Sequence, residues 1–470
     1  MFVAGLINIQ KRSLEIVIEA NSNSDKKSDE VNIQTLVSKK NIYQKGPKIV
    51  VIGGGAGLAS MLAGLKKYTS NITAIVTVSS YGAPKSMGEQ ELELIPIEDI
   101  KQSLIALSLK DYEMSKLMDY KFEEKQLKGL TFGEIYLAAM QNMHGEFASS
   151  IGKSSDILSI VGTVLPVTLD EMKICAELKN GIVVEERSKI SEIVSDKVTE
   201  INRVYITPSN CRTAPGIVEA IAEADCIIIG PGSLYTNVIP NLLIKNVARA
   251  IKDSKGHKVY VSNLMTEPGQ TDDYTVSDHI KAITEHAGED LFTYCVCDNG
   301  EVVPEILRRY NLEGANLVDI DKEKIKEMGV SVIKGSYAKI EGEHIRHDSD
   351  EIAKVIIELI VNELKFKDIK PDEQFVLLNT KLKQENKRTK RKRRIGRRAQ
   401  ETVKKEKGLR RNSKFASKYE ERIQSIKDSE KTRDMNIKVH EEAKKLIEDA
   451  EKKEKERFLK ETYDKKEDAE

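Results

Sequence analysis

The chain has 470 residues and a mass of 52.8 kDa, which is too long for one average domain. Its 40% hydrophobic content permits a sizeable core, whereas 32% charged residues, 5% aromatics and no Trp point to a globular part diluted by a long charged segment. Lys and Arg together number 75, as do Asp and Glu, so the net charge of zero averages unlike regions. No run approaches the roughly 18 to 20 apolar residues needed to span a bilayer, and the amino terminus has no secretory pattern. A soluble, cytoplasmic protein is expected.

Residues 1–46 are polar and mixed, and they read as an N-terminal extension with a joint at Asn21 to Lys27. From residue 48 to about 361, short β-branched runs alternate with helical patterns, which predicts an α/β fold with a doubly wound, Rossmann-like parallel sheet. The clearest strands fall at 48–52, 72–78, 226–229, 259–262 and 294–297. Their near-continuous Val and Ile content predicts burial on both faces. The stretch from about 157 to 208 differs, with shorter strands at 161–165, 172–178 and 182–185 and Asn180-Gly181 as a hairpin turn. It reads as an inserted β-rich subdomain.

The five cysteines, Cys175, Cys211, Cys226, Cys295 and Cys297, are scattered and read as buried, reduced thiols. Cys295 and Cys297 are read as pointing to opposite sheet faces, which makes them poor joint ligands for a metal.

Three strand ends carry the chemistry. After the first strand come Gly53, Gly54, Gly55, Ala56 and Gly57, then a helical segment at 60–68. Glycines let backbone N–H groups approach a phosphate, and the helix presents its positive end to the anion. The second strand ends at Val78-Ser79-Ser80-Tyr81 without the carboxylate that holds a ribose in NAD-binding folds, so classical dinucleotide binding is disfavoured. A second loop, Gly230, Pro231, Gly232 and Ser233, follows another buried strand, and a third polar segment from Ser262 to Thr271 leaves the next, with Asn263 and Thr266 as candidate contacts. A ligand-free tight turn explains each loop singly, but three together favour a phosphorylated, nucleotide-type ligand at the carboxyl ends of the strands. Asp278 is placed to orient His279 for proton transfer, against the weightier reading of a cap or ion pair on a helix that also carries His286. His344 and His347 read as part of a polar loop before the final helix.

These motifs, in this order, resemble the bacterial YvcK-like gluconeogenesis factor family, relatives of the CofD-like phospholactate transferases. The resemblance rests on residues 47–57, 69–78, 230–236 with Pro240-Asn241, and 265–271, and spans about 47–361. It implies a Rossmann-like fold and a nucleotide-sugar ligand such as UDP-N-acetylglucosamine. It also implies a regulatory role in cell shape, envelope synthesis and gluconeogenic growth. The chain departs from the family where Asp-Asp is usual and Ser80-Tyr81 stands, and where Thr is usual and Ala56 stands, which marks a divergent member. Losing two carboxylates removes hard-cation ligands and turns the expectation away from an enzyme. The competing reading keeps a transferase in which Asp99 is the catalytic candidate and works with Mg²⁺; a third is an interaction protein with a vestigial site.

The globular, nucleotide-sugar-binding domain is thus expected at 47–365, followed by a tail at 366–470. Between 379 and 418 there are 18 Lys and Arg against 3 Asp and Glu, then charges of both signs interleave. The basic segment predicts an anionic partner, nucleic acid or membrane surface, against the alternative of a solvated extension. A homo-oligomer completes the expected partners.

Overall fold

The computed structural model describes residues 46–79, 98–109, 111–123, 127, 129–300, 302–366 and 382–383. All but Gly46 of the expected extension at 1–46 and nearly all of the tail after residue 366 lie outside the described residues, as do Ser80 and Tyr81. By its contacts the chain divides into residues 1–383 and 384–470, and every described residue falls in the first part.

The molecule is organised by a seven-stranded sheet. In chain order its strands are β1 (Ile49–Gly53), β2 (Ile72–Val76), β3 (Thr163–Pro166), β7 (Cys226–Ile229), β8 (His257–Val261), β9 (Tyr294–Asp298) and β10 (Ser331–Gly335). The numbers β4 to β6 belong to the insertion described below. Across the sheet they run β10-β9-β8-β7-β1-β2-β3, and every pairing is parallel. The chain therefore builds outward from β1 in one direction and, after β7, in the other. The reversal lies between β1 and β7, where Ile52 pairs with Ile229, and this is the switch point at which open α/β sheets bind ligands.

Alternation along the strands feeds two cores. Val50 and Ile52 join one apolar cluster with Ile227 and Ile229, whereas Ile49 and Val51 join the other with Cys226 and Ile228. All four β1 residues named are at most 2% exposed, so near-continuous aliphatic sequence is required, as expected for helices on both faces. On the second face lie α1 (Gly55–Leu65), α2 (Glu98–Leu107) and, later in the chain, α13 (Ser349–Phe366), which contributes Ile352, Ile356 and Ile357. Between α2 and β3 run α3 (Asp111–Met118), α4 (Phe132–His144) and α5 (Phe147–Ile157). The first face is covered by α7 (Ile217–Glu223), α8 (Ile239–Leu243), α9 (Val247–Asp253) and α10 (Val276–Ala287), which place Ile217, Ile239, Val247 and Ile280 in its core.

The insertion is smaller than its sequence suggests. A three-stranded antiparallel sheet is made by β4 (Lys173–Leu178), β5 (Val183–Val184) and β6 (Ile201–Thr207), with β4 in the middle and α6 (Ile190–Asp196) before β6. Gly181 forms the β4–β5 turn with φ of 84°. The segment expected as the insertion's first strand is instead β3, the edge of the main sheet, paired in parallel with β2. Only its short length, ending at Pro166, made it look like part of the hairpin series. The region of His344 and His347, expected as a loop, is an antiparallel ribbon of β11 (Ala338–Glu341) and β12 (His344–His347), with Gly342 at φ of 60° in its turn. Before it come α11 (Pro304–Leu312) and α12 (Lys322–Glu327).

All five cysteines are buried and free. The expectation for Cys295 and Cys297 is overturned: residues two apart on a strand share a face, and their sulfurs are 3.3 Å apart in the same core.

Candidate functional site

The switch point opens into a cleft of about 460 Å³. Its floor is built from backbone. β1 delivers the chain into Gly54, the N-cap of α1, which makes no side-chain cap bond, and the first turn of α1 contains no acidic residue. The leading N–H groups of this 11-residue helix thus lack partners from a cap, and no acidic residue of its own first turn offsets its positive end. Gly54, Ala56 and Gly57 line the cleft. Gly55 turns the chain with φ of 67°.

The second loop crosses directly over the first. A Cβ on Gly57 would stand 2.4 Å from Pro231 O, so only glycine permits the approach. Gly53 and Gly230 lie behind the cleft wall. Gly230 N donates to Ile52 O at 3.0 Å, and Gly53 O accepts from Thr77 N at 3.1 Å. A buried polar stitch fixes the loop further: Thr77 Oγ1 and Asn241 Nδ2 both donate to Asn237 O, at 2.9 and 2.7 Å. Pro231, Gly232 and Ser233 then face the cleft.

The third loop supplies Asn263 and Thr266, both cleft-lining. Thr266 is held by reciprocal bonds to Asn316: its N donates to Asn316 O at 2.7 Å, and its Oγ1 accepts from Asn316 N at 2.9 Å. Of the residues expected to bind ligand, Gly54, Ala56, Gly57, Pro231, Gly232, Ser233, Asn263 and Thr266 therefore share one cavity, while Gly53, Gly55 and Gly230 shape its backbone.

Several contributors carry no local sequence signal. From the insertion, Arg187 reaches under the glycine loop, where it is 5% exposed. Its Nη1 donates to Ser79 Oγ at 2.9 Å and its Nη2 to Asn237 Oδ1. Glu267 lines the cleft, and burial pushes its carboxyl above the usual range, opposed by the Ser233 bond and by Arg187. The far wall is made by Tyr310 and Glu313, near the end of α11, and by Ile345, Arg346 and His347 of β12. His347 Nε2 donates to Ser262 O at 3.0 Å, and burial pushes this imidazole down to about 4, so it is neutral.

Asp99, on α2, sits behind the glycine loop. A Cβ on Gly54 would meet its Oδ2 at 2.8 Å, and Arg187 Nη2 is 4.0 Å from the same oxygen. Mg²⁺ fits this arrangement poorly, because a hard cation needs several oxygen ligands and here a guanidinium already faces the carboxylate. Among the described residues no three His, Cys, Asp or Glu side chains gather as a metal cluster. The pairing of Asp278 with His279 is also not a proton relay. Asp278 closes a capping box by accepting from Thr275 N and Oγ1, at 2.9 and 2.7 Å. His279 is fully buried with Nδ1 bonded to Thr275 O, and burial lowers its pKa.

Fold and site together define a doubly wound α/β protein with a crevice lined by glycine loops at its switch point. The profile of the family described as 2-phospho-L-lactate transferase CofD matches residues 49–338. The gluconeogenesis factor of Bacillus subtilis (strain 168) is 37% identical over 315 residues, which cover 67% of this chain and 98% of that protein. A Clostridium acetobutylicum protein provisionally given the same name is 43% identical over 359 residues, 76% of this chain and 80% of its own length. A crystal structure of a Bacillus halodurans protein of the UPF0052 family superposes with a TM-score of 0.62 at 35% identity, covering 67% of this chain and 99% of that one. The chain belongs to the CofD family, on its gluconeogenesis-factor branch. No helix among the described residues is long and apolar enough to cross a membrane.

Proposed function

We propose that this chain binds a UDP-sugar, such as UDP-N-acetylglucosamine, across the switch point, and acts through that binding as a regulatory factor for cell shape, envelope synthesis and gluconeogenic growth. The observation that carries the reading is the uncapped start of α1, abutting the Gly232-Ser233 loop so that both line one side of a cleft of nucleotide size. A diphosphate placed there accepts bonds from backbone N–H groups that need no metal. Tyr310 offers a ring and Arg346 a cation on the opposite wall, while Asn263 and Thr266 offer polar contacts to ribose or sugar. The buried carboxylate of Asp99 is matched to Arg187, which argues against a metal-assisted transfer.

Calorimetric titration of the full chain with UDP-N-acetylglucosamine, with and without Mg²⁺, tests this. Micromolar binding that ignores the metal is expected. Arg346→Ala should weaken it by roughly tenfold or more, since a hydrogen bond to a charged group contributes about 1.5 to 3 kcal/mol. Strict Mg²⁺ dependence with turnover would instead establish the transferase reading.

A further inference from the structure

Where the second and third loops touch, three oxygens meet. Ser233 Oγ lies 2.6 Å from Glu267 Oε2 and 3.1 Å from Gln270 Oε1. The Gln270 amide is oriented by its other end, where Nε2 donates to Ser191 Oγ at 3.0 Å. Its oxygen, an acceptor only, therefore faces Ser233. A serine hydroxyl carries one proton. It can serve Gln270 or an ionised Glu267, and one short contact is then left between two acceptors. If Glu267 carries a proton, it donates to Ser233, Ser233 donates to Gln270, and all three groups are satisfied.

The surroundings favour the same proton count. Glu267 shares its cleft with the start of α1, so an ionised carboxylate would stand beside any anion bound there. The groups facing it are Ser233 from the second loop, Tyr260 of β8, Glu313 after α11, Arg346 and His347 of β12, and Arg187 from the insertion. Of these, Arg187 already bonds Ser79 and Asn237 and lies beside Asp99, and Arg346 is exposed. Burial raises the carboxyl's pKa, in agreement with the geometry.

We infer that Glu267 is the proton-carrying group of the crevice, donating to Ser233, and that holding this proton is what lets the cleft accept a doubly esterified diphosphate. The linkage to ligand rests on the diphosphate reading above; the protonation itself does not. In this arrangement the Ser233–Gln270 pair stays formed and Glu267 adds no charge to the cleft. When pH rises and the carboxyl ionises, Ser233 turns its proton to Glu267 and the anion meets a like charge.

Two measurements on the full chain test this. In pH-difference infrared spectra without ligand, a protonated-carboxyl band is expected at neutral pH in the wild type and missing in Glu267→Gln; its absence from the wild type overturns the assignment. In calorimetry with UDP-N-acetylglucosamine across the pH range in which that infrared band disappears, wild-type affinity should fall by up to roughly tenfold per pH unit as the carboxyl ionises. This probe's phosphates are both doubly esterified and keep a fixed charge, so they add no slope. Glu267→Gln, a permanent stand-in for the neutral acid, should bind with little pH dependence. A slope that survives in Glu267→Gln, or a flat wild type, overturns the linkage, as does Mg²⁺ tightening only the wild type, which would give the carboxylate to a cation. The infrared band with no binding at any pH faults the diphosphate reading and leaves the proton assignment standing.

Discussion

The two walls of the crevice are built on different principles. The α1 wall is backbone: a buried strand, a glycine turn and an uncapped helix start, contiguous in sequence from Ile49 to Leu65. The opposite wall is made of side chains brought from α11, the residues just after it and the β11–β12 ribbon, while Arg187 of the insertion supports the glycine loop from beneath. Local sequence suffices to aim peptide N–H groups, whereas charge placement needs the whole fold. The first wall accordingly tolerates side-chain change and no added bulk, and the second responds to loss of charge.

The sharpest break of this contrast is Arg187→Met. It removes the cation beside Asp99 and the donor to Asn237 and Ser79. Disrupting a buried charge pair costs about 3 to 5 kcal/mol, so chemical denaturation should show a loss of that order, with weakened ligand binding because Asn237 lines the cleft. A wild-type denaturation midpoint would mean that the insertion does not support the site.

Gly57→Ala and Gly64→Ala sharpen the backbone side. Both lie on α1, and each added Cβ would strike a carbonyl oxygen, Pro231 O at 2.4 Å or Ser349 O at 2.1 Å. Overpacking of this kind costs about 1 to 3 kcal/mol, and thermal unfolding should register it for both. Only Gly57→Ala should also abolish ligand affinity, because it parts the two loops, while Gly64→Ala presses α1 against α13 away from the cleft. Equal losses of affinity would show that the loop crossing is not what shapes the site.

The smallest effect is with pH. Burial holds His347 and His286 below their unfolded values, His347 at about 4. As pH falls below about 6.5 the unfolded chain takes up these protons first, so stability is full above that point and declines beneath it; His347 alone contributes a loss of about 1 to 2 kcal/mol by pH ~5.5. His347→Gln should flatten that part of the profile in urea titrations.

Much of the fold was legible because buried parallel strands must be apolar on both sides, as Ile227, Ile228 and Ile229 are. The glycine loops were legible for a similar reason: close backbone approach leaves few residue choices. β3 was misplaced because four residues with one end at Pro166 carry too little pattern to say which sheet they join. The ribbon of β11 and β12 gives little sequence signal because only Ile345 among its residues is buried, the rest being exposed or half-buried, although Ile340 and Ile345 flank Gly342 as in a hairpin. Arg187 sits in Glu185-Glu186-Arg187-Ser188-Lys189, where nothing local separates a buried cation from a solvated one. Glu267 was hidden likewise, since its partners Ser233 and Gln270 acquire meaning only once two loops meet.

The crossing of Gly57 over Pro231 has a further consequence for how this protein can be dissected. Neither glycine motif is a portable module, because each is shaped by a segment from the other half of the chain. A fragment ending before β7 would retain the familiar glycine signature yet lack the surface that gives it shape. Recognition here is therefore a property that emerges late, with closure of the sheet.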